Sequence, residues 1–193
     1  MTFIDAYLDE TLAAFTAFRD EPAHGAVMAR MADAITSSLR AGGKLLICGN
    51  GGSASDAQHI AGEFVGRLMY DRAPLPALAL GTDGAVLTAV ANDYGYEHVF
   101  ERQVLALGRE GDVLLAISTS GNSPSILRAL EAAEARRMLR LGFTGAKPGR
   151  MNDRCAEVLS APSAKTVIIQ QIHITAAHVI CALVERAIFP NPA

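Results

Sequence analysis

The chain has 193 residues, of which 50% are hydrophobic, and its 20 acidic and 17 basic side chains leave a formal net charge of -3. This length and apolar content suit one domain with its own core and exclude a disordered chain. The charges are scattered and show no basic excess, which argues against nucleic-acid binding. No stretch has the uninterrupted apolar length of a membrane span, and the first residues are acidic where a signal peptide is basic. We therefore expect a cytoplasmic protein with no membrane partner.

The three cysteines, Cys48, Cys155 and Cys181, are widely spaced and form no CxxC pair. This spacing indicates neither a disulfide framework nor a thiolate zinc site. We expect all three to be small buried hydrophobic residues.

Residues 1–41 predict a helical hairpin. Apolar residues recur at intervals of three and four from Thr2 to about Leu39, which is typical of amphipathic helices. The break between the two helices is expected at 20–24, with Pro22 and Gly25 between the periodic runs. The last helical stretch is more apolar than a surface helix requires. Together with the hairpin, it predicts packing against copies of the same chain in a closed homo-oligomer.

After Gly43, short apolar runs alternate with helical patterns. The runs lie at 44–48, 77–80, 113–117, 139–143 and 157–159, and the helical stretches at 53–69, 85–91, 98–108, 123–137 and 166–188. Continuously apolar runs are typical of parallel strands that are buried on both faces. The alternation predicts one α/β domain over 1–193 with a doubly wound sheet, interrupted by a polar loop at 145–154.

The first candidate binding loop is Asn50-Gly51-Gly52-Ser53, where a predicted strand ends and a helix begins. Glycines let backbone N–H groups approach an anion, and a helix start with the Ser53 hydroxyl can bind a phosphate or a sugar hydroxyl. The spacing matches neither a dinucleotide-binding motif nor a P-loop, so nucleotide binding is disfavoured. The alternative is an ordinary glycine-rich turn without a ligand.

A second loop, Ser118-Thr119-Ser120-Gly121-Asn122-Ser123, joins the run at 113–117 to the next helix. Four hydroxyl groups and several backbone N–H groups at one helix start predict an uncharged cradle for a phosphate, and Pro124 suits the first helical turn. Helix capping alone needs one hydroxyl and does not account for four.

Histidine and carboxylate side chains at helical spacing suggest an acid–base or metal site. His59 and Glu63 are four residues apart, so they lie on one helix face and can share a proton or one metal ion. The alternative is a weak surface contact. Gln170 and His178 are eight residues apart, about 12 Å of rise and roughly 80° of rotation, so each side chain must lean toward a common point if both are to bind one ion. His173 points elsewhere and is expected to be a core or interface histidine.

Asn92 and Asp93 are expected in a turn between two helical stretches. Their side chains can hydrogen-bond the hydroxyl groups of a substrate, or they can form an Asx turn with the local backbone. The residues alone leave both alternatives open.

Four segments together resemble the SIS, or sugar isomerase, family of phosphosugar-binding domains. They are CGNGGSASDAQHIAGEF at 48–64, VANDYGYEHVF at 90–100, GREGDVLLAISTSGNS at 108–123 and IQQIHITAAH at 169–178. The resemblance implies an α/β/α sandwich with a five-stranded parallel sheet. It also implies a homotetramer whose active sites lie between subunits.

The resemblance further implies roles for individual residues. The positions that match substrate contacts of the family are Asn50, Gly51, Gly52, Ser53, Asn92, Asp93, Ser118, Thr119, Ser120, Ser123 and Gln170. The catalytic glutamate and histidine of the family match Glu63 and His178. Members that bind zinc do so through positions that match His59, Glu63, Gln170 and His178.

The branch of the family that these segments resemble most isomerises sedoheptulose 7-phosphate to D-glycero-D-manno-heptose 7-phosphate through an enediol, toward nucleotide-activated heptose. Such a reaction needs a base, an acid and stabilisation of an oxyanion. We expect Glu63 to move the carbon proton while His178 serves the oxygens or opens the ring, although the reverse assignment stays open.

Two alternatives remain: isomerisation of another phosphosugar, and a non-catalytic SIS module that binds the bacterial replication initiator. That module resembles this chain in LPALAL, GDVLLAIS and the late IFP, but it lacks the catalytic glutamate and histidine. Ile168 and Gln171 stand where the family usually has arginine and glutamate, which bears on the choice of substrate.

Overall fold

A five-stranded sheet lies between two layers of helices in the computed structural model, which describes residues 1–190. The strands are β1 (Leu45–Gly49), β2 (Ala77–Ala79), β3 (Val113–Ile117), β4 (Leu139–Thr144) and β5 (Glu157–Ser160). Each pairs in parallel with its neighbour, in the order β2-β1-β3-β4-β5. The predicted three-layer α/β sandwich with five parallel strands is confirmed.

Seven α-helices surround the sheet within the described residues. They are α1 (Phe3–Asp20), α2 (Pro22–Arg40), α3 (Gly52–Val65), α4 (Gly84–Tyr94), α5 (Val99–Leu107), α6 (Pro124–Ala135) and α7 (Thr166–Ile188). Single turns of 3-10 helix lie at Tyr96–His98 and Asn152–Arg154, the second of them inside the predicted polar loop.

The two faces of the sheet bury two separate hydrophobic cores. Along β1, Leu45 and Ile47 join a core with α2, α3 and α7, whereas Leu46 and Cys48 join a core with α5 and α6. Successive side chains of a strand point to opposite faces, so a strand buried on both faces is apolar throughout. The sheet therefore fixes the carboxyl ends of β1 and β3 as adjacent points from which α3 and α6 start.

The break in the hairpin is shorter than the sequence predicts. Only Glu21 separates α1 from α2; Pro22 is the first residue of α2, and Gly25 lies inside that helix. Proline is favoured at the first helical position because the N–H it lacks would have no intrahelical partner there. The Glu21 carboxylate accepts the N–H of Ala23 and thereby caps the helix.

Two further helix boundaries differ from the prediction. Helix α3 ends at Val65, four residues before the predicted end at 69. Helix α4 continues to Tyr94, so Asn92 and Asp93 belong to its last turn and the predicted turn between helices is wrong. Gly95 stops α4 because it adopts a φ of 97°, a left-handed conformation that glycine allows.

Helices α1 and α4 present apolar side chains to the outside of this chain. Phe3 is 84% exposed, and Ile4, Leu8 and Leu12 on the same helix are also exposed. Helix α4 has no buried residue, although its sequence is rich in alanine and valine. Exposed apolar side chains of this kind are typical of surfaces that contact another protein.

Helix α7 is the one helix of residues 1–190 whose length and apolar content would also suit a membrane span. Half of its most apolar window is buried inside the fold, and the helix packs against α2 and α3. Side chains such as Ile168, Ile172 and Val184 are fully enclosed in the first core. Its apolar character is therefore explained by its place in the domain.

Candidate active site

The two candidate loops meet at the carboxyl edge of the sheet and enclose a cavity of about 360 Å³. Its lining comprises Asn50, Gly51, Gly52, Ser53, Ile117, Ser118, Thr119, Ser120, Ser123, Thr166 and Gln170. Both loops thus contribute all their predicted binding residues to one space. Thr166, at the start of α7, was not predicted, because a single threonine outside a polar loop gives no signal in the sequence.

Asn50 holds the two loops together. Its Nδ2 donates to Ser123 Oγ at 2.9 Å and to Ser125 Oγ at 3.1 Å, while its Oδ1 accepts the hydroxyl proton of Tyr96 at 2.8 Å. Gly51 has a φ of 57°, a backbone conformation that is strained for other residues. The turn that leads into α3 therefore depends on glycine, and the cavity is formed by fixed hydrogen bonds.

Within residues 1–190, no charged side chain lines this cavity. Hydroxyl groups of Ser118, Thr119 and Ser120 and the amino-terminal ends of α3 and α6 surround it instead. Free N–H groups and the dipole at helix starts attract anions, and hydroxyl groups donate hydrogen bonds to phosphate oxygens. The arrangement is suited to a phosphate group, and we call this cavity and its lining residues the hydroxyl cradle.

A second cavity of about 380 Å³ adjoins the first and shares Thr119, Ser120 and Thr166 with it. Lys147, in the polar loop after β4, lies in its lining. A cation next to the hydroxyl cradle adds to its attraction for an anion.

His59, Glu63 and His178 form a compact cluster between α3 and α7. His59 Nε2 lies 2.9 Å from Glu63 Oε1 and 3.4 Å from His178 Nε2. One possible ligand atom from each residue lies within 4.8 Å of the others, which fits a single metal ion. The His59 side chain is 50% exposed and that of Glu63 19% exposed, so the cluster is reached from solvent.

Gln170 packs against the first loop. A Cβ atom on Gly52 would lie 2.5 Å from Gln170 Nε2 and 2.8 Å from its Oε1, so the carboxamide occupies the space that glycine leaves. This places Gln170 in the lining of the hydroxyl cradle. It precedes His178 on α7 by a little over two helical turns and lies on the cradle side of the cluster.

Asp56 is a further carboxylate near the site, and no motif in the sequence indicates it. It lies on α3, one turn before His59, and its Oδ2 is buried without a hydrogen-bond partner among the described residues. Burial raises the pKa of Asp56, and the nearby His59 partly offsets this. A lone aspartate among small residues gives no functional signal in the sequence.

The remaining predicted residues lie outside the cradle. Asn92 and Asp93 are exposed and bonded to each other, Asn92 Nδ2 donating to Asp93 Oδ1 at 2.8 Å. His173 is a buried core residue, as predicted, and its Nε2 bonds the carbonyl of Thr144 at 3.0 Å. Cys48 and Cys181 are buried as expected, whereas Cys155 is only partly buried.

Known proteins are similar in sequence to this chain over nearly its whole length. The SIS domain family matches residues 6–145. The phosphoheptose isomerase of Burkholderia pseudomallei strain K96243 is 50% identical over 189 residues, which are 98% of this chain and 96% of that protein. The chain belongs to the SIS domain family, among its phosphoheptose isomerases. Another phosphoheptose isomerase of the family, from Bradyrhizobium sp. strain ORS 278, is 52% identical over 192 residues, 97% of each chain.

Solved structures of SIS-family enzymes match the fold as well. The phosphoheptose isomerase of Francisella tularensis superposes with a TM-score of 0.90 at 36% identity, covering 96% of this chain and all of that one. The phosphoheptose isomerase from Neisseria gonorrhoeae gives a TM-score of 0.87 at 39% identity and covers 94% of this chain and 96% of that one.

Proposed function

We propose that this SIS-family chain converts sedoheptulose 7-phosphate to D-glycero-D-manno-heptose 7-phosphate in heptose biosynthesis, with Glu63 and His178 as its acid–base pair. The observation that supports these roles is the cluster of Glu63, His59 and His178, which lies on α3 and α7, the two helices that also contribute to the hydroxyl cradle. The family's relatives at about half identity are phosphoheptose isomerases. They favour this activity over isomerisation of another phosphosugar and over a regulator of the replication initiator.

The cradle binds the phosphate group of the substrate. Hydroxyl and backbone N–H donors of the two loops fix its oxygens, with Ser118, Ser120 and Ser123 at the centre. Ser53, at the cradle, and His59 are six residues apart on α3, which is about 9 Å of helix rise. An extended sugar chain of seven carbons reaches across such a distance, so the carbonyl end of the substrate lies at the cluster when its phosphate is bound.

Glu63 and His178 move protons at that end of the substrate. The reaction transfers one proton between adjacent carbons and another between the two oxygens, through an enediol. Glu63 takes the carbon proton from one carbon and returns it to the next. His178 exchanges the oxygen proton and assists the opening of the sugar ring. Glu63 faces His59 at 2.9 Å, so its carboxylate has one fixed orientation within the cluster.

We propose zinc as the metal that this cluster binds. The ligands are His59, Glu63 and His178, joined by Gln170 on the same helix as His178. Two imidazole nitrogens and a carboxylate are a typical zinc donor set, and the spacing of these three donors fits one ion. Bound zinc would polarise the substrate oxygens and support the oxyanion of the enediol.

We further propose that the chain functions as a cytoplasmic homotetramer. The exposed apolar faces of α1 and α4 suit burial against other subunits. Asn92 and Asp93, at the end of α4, lie outside the cradle of their own chain and would reach the substrate from a neighbouring subunit. The leading hairpin, residues 1–41, contributes to that packing.

The experiment is turnover of sedoheptulose 7-phosphate by the purified protein, with the aldoheptose 7-phosphate detected as product. General acid–base groups contribute roughly 10²- to 10⁴-fold, so Glu63→Gln and His178→Ala are expected to lose that much of kcat. Glu131→Gln, on the surface of α6 with a partner in Arg154, is the control and keeps activity. Absence of turnover by the intact protein with zinc supplied, or turnover of pentose or hexulose phosphates instead, contradicts the proposal.

A further inference from the structure

A buried ion pair lies behind the proposed acid–base pair, away from the cavities. Arg72, in the loop between α3 and β2, donates from Nε to Glu185 Oε1 near the end of α7 at 2.9 Å. Their side chains are only 3% and 1% exposed. Burial of two charges costs desolvation free energy, and an apolar pair of the same volume is often as stable. Fold stability alone therefore gives little reason for these charges.

Arg72 binds the end of the helix that contains Glu63. Its Nη2 donates to the carbonyl oxygen of Glu63 at 2.7 Å, and its Nη1 donates to those of Phe64 at 2.7 Å and Gly66 at 3.2 Å. The last carbonyl groups of a helix have no intrahelical partner, so an outside donor fixes where that end lies. In this chain the donor contacts the backbone of the proposed catalytic residue itself.

Glu185 belongs to the helix that contains His178. The two residues are seven positions apart, nearly two full turns, so they lie on one face of α7. The Glu185 oxygens also accept the N–H groups of Leu68 at 3.1 Å and Met69 at 2.8 Å. Burial raises the pKa of Glu185, but these N–H groups and Arg72 outweigh burial and bring its pKa below the ordinary value.

A buried thiol on α7 lies near these charges. Cys181 is three residues after His178 and is buried. Burial raises the pKa of Cys181 to about 12, and the nearby carboxylates of Glu63 and Glu185 act in the same direction. Cys181 thus lies near Glu63 of α3 and near the ion pair of Arg72 and Glu185, where α3 packs against α7.

We propose that Arg72 and Glu185 are positioning residues that hold Glu63 at its working distance from His178. The inference rests on the proposed function, because Glu63 and His178 are its acid–base pair. Arg72 fixes the end of α3, Glu185 fixes Arg72 to α7, and the two proton-transferring side chains extend from these two helices. The phosphate cradle lies at the amino-terminal ends of α3, α6 and α7, whereas Arg72 and Glu185 lie near the carboxyl-terminal ends of α3 and α7.

The first test compares Arg72→Lys with the wild-type chain in steady-state kinetics. Lysine keeps the positive charge but lacks the planar fork that reaches several carbonyl groups at once. Because displacement of a catalytic group by about 1 Å can cost 10²-fold, kcat per folded subunit is expected to fall roughly 10- to 100-fold. KM is expected to change less than about threefold, since the cradle is intact.

A double variant, Arg72→Met with Glu185→Leu, separates positioning from folding. Replacing both charges by apolar side chains leaves no unpaired buried charge, so this variant is expected to fold. Its kcat is nevertheless expected to be as far below the wild-type value as that of Arg72→Lys. Lys44→Met is the matched control, because Lys44 and Asp112 form a partly buried pair at 2.5 Å next to the starts of β1 and β3, at the edge of the sheet opposite the cradle. That variant is expected to lose stability while kcat per folded subunit is unchanged.

Zinc affinity, measured by competition with a chromophoric chelator, gives a readout that does not require turnover. Loss of residues that orient metal ligands typically weakens binding 10- to 100-fold, and we expect a loss of that order in the Arg72 variants but not in Lys44→Met. If the wild-type chain binds zinc but does not isomerise the heptose phosphate, the proposed function fails and this affinity still decides the positioning role. The inference is overturned if both Arg72 variants keep the kcat and the zinc affinity of the wild-type chain. It is also overturned if the wild-type chain neither turns over the heptose phosphate nor binds zinc.

Discussion

The Nε2 atoms of His59 and His178 lie 3.4 Å apart although the two residues are separated by 119 positions in the chain. Their rings meet at a steep angle of 69°, with centroids 5.0 Å apart. Two nitrogens that face each other at this distance can both direct lone pairs at one cation, and Glu63 supplies a third donor.

The geometry predicts that His59→Ala removes most of the zinc. We expect about one zinc ion per subunit in the wild-type chain and a clear loss of it in the variant, because His59→Ala removes one of the two imidazoles among the four proposed ligands. Metal content after dialysis, measured by mass spectrometry, checks this. His24→Ala, which removes a histidine that bonds the Phe18 carbonyl in the hairpin, is the control. Equal zinc content in all three proteins would exclude His59 as a ligand.

The hydroxyl cradle predicts an effect on kcat/KM and on inhibition by phosphate. Ser120→Ala removes a donor to the phosphate, and a hydrogen bond to a charged group is worth about 1.5–3 kcal/mol, so kcat/KM is expected to fall roughly 10- to 100-fold. Inorganic phosphate is expected to inhibit the wild-type chain competitively and the variant more weakly. Ser37→Ala, at an exposed site where the hydroxyl bonds its own helix, should match the wild type. Unchanged kcat/KM in Ser120→Ala would remove that hydroxyl from the cradle.

Much of the fold follows from local patterns in the sequence. The apolar runs at 113–117 and 139–143 correspond to β3 and β4, because a parallel strand buried on both faces has to be apolar along its whole length. The loops after β1 and β3 could likewise be placed at one edge, since parallel strands end together.

Other features depend on contacts that no local pattern shows. Helix α3 ends where Arg72 binds its last carbonyl groups, and that contact is made by a residue outside the helical pattern. Helix α4 continues through Asn92 and Asp93 although both residues favour turns, and it ends only at Gly95. His59 and His178 come together only because α3 packs against α7. The spacing of residues along one helix does not show which other helix it packs against.

Gly52 and Gly62 give a matched pair of substitutions on α3. A methyl group on Gly52 would displace the Gln170 carboxamide, which lies 2.5 Å from the position of the new Cβ. The displaced atoms are the end of a flexible side chain, so Gly52→Ala is expected to fold while kcat/KM falls roughly 10-fold or more through the moved Gln170. A methyl group on Gly62 would meet no atom within 4 Å, and Gly62→Ala is expected to raise the free energy of unfolding by about 0.4–1 kcal/mol.

Kinetics and urea unfolding of both glycine variants distinguish the two effects. The activity loss should appear only in Gly52→Ala and the stability gain only in Gly62→Ala. Wild-type kcat/KM in Gly52→Ala would show that the position of Gln170 is unimportant for turnover.

His173 predicts how stability depends on pH. Burial lowers the pKa of His173 to about 4, although its hydrogen bond to the Thr144 carbonyl acts in the opposite direction. In the unfolded chain its pKa is about 6.5. Between about pH 4 and pH 6.5, His173 is therefore protonated in the unfolded state but neutral in the folded state. The free energy of unfolding is therefore unaffected by this histidine above about pH 6.5 and decreases as the pH falls from there toward 4. Between pH 7 and pH 5 the loss amounts to about 2 kcal/mol.

The variant His173→Gln tests this contribution, because a glutamine amide can donate to the same carbonyl but does not titrate. Urea unfolding at pH 7 and at pH 5, at one protein concentration, is expected to show a drop in the free energy of unfolding that is smaller in the variant by about 2 kcal/mol. Below pH 4 the folded wild-type chain also accepts the proton, so the two proteins should respond alike to further acid. Equal losses in both proteins between pH 7 and pH 5 would mean that His173 is not held neutral in the core.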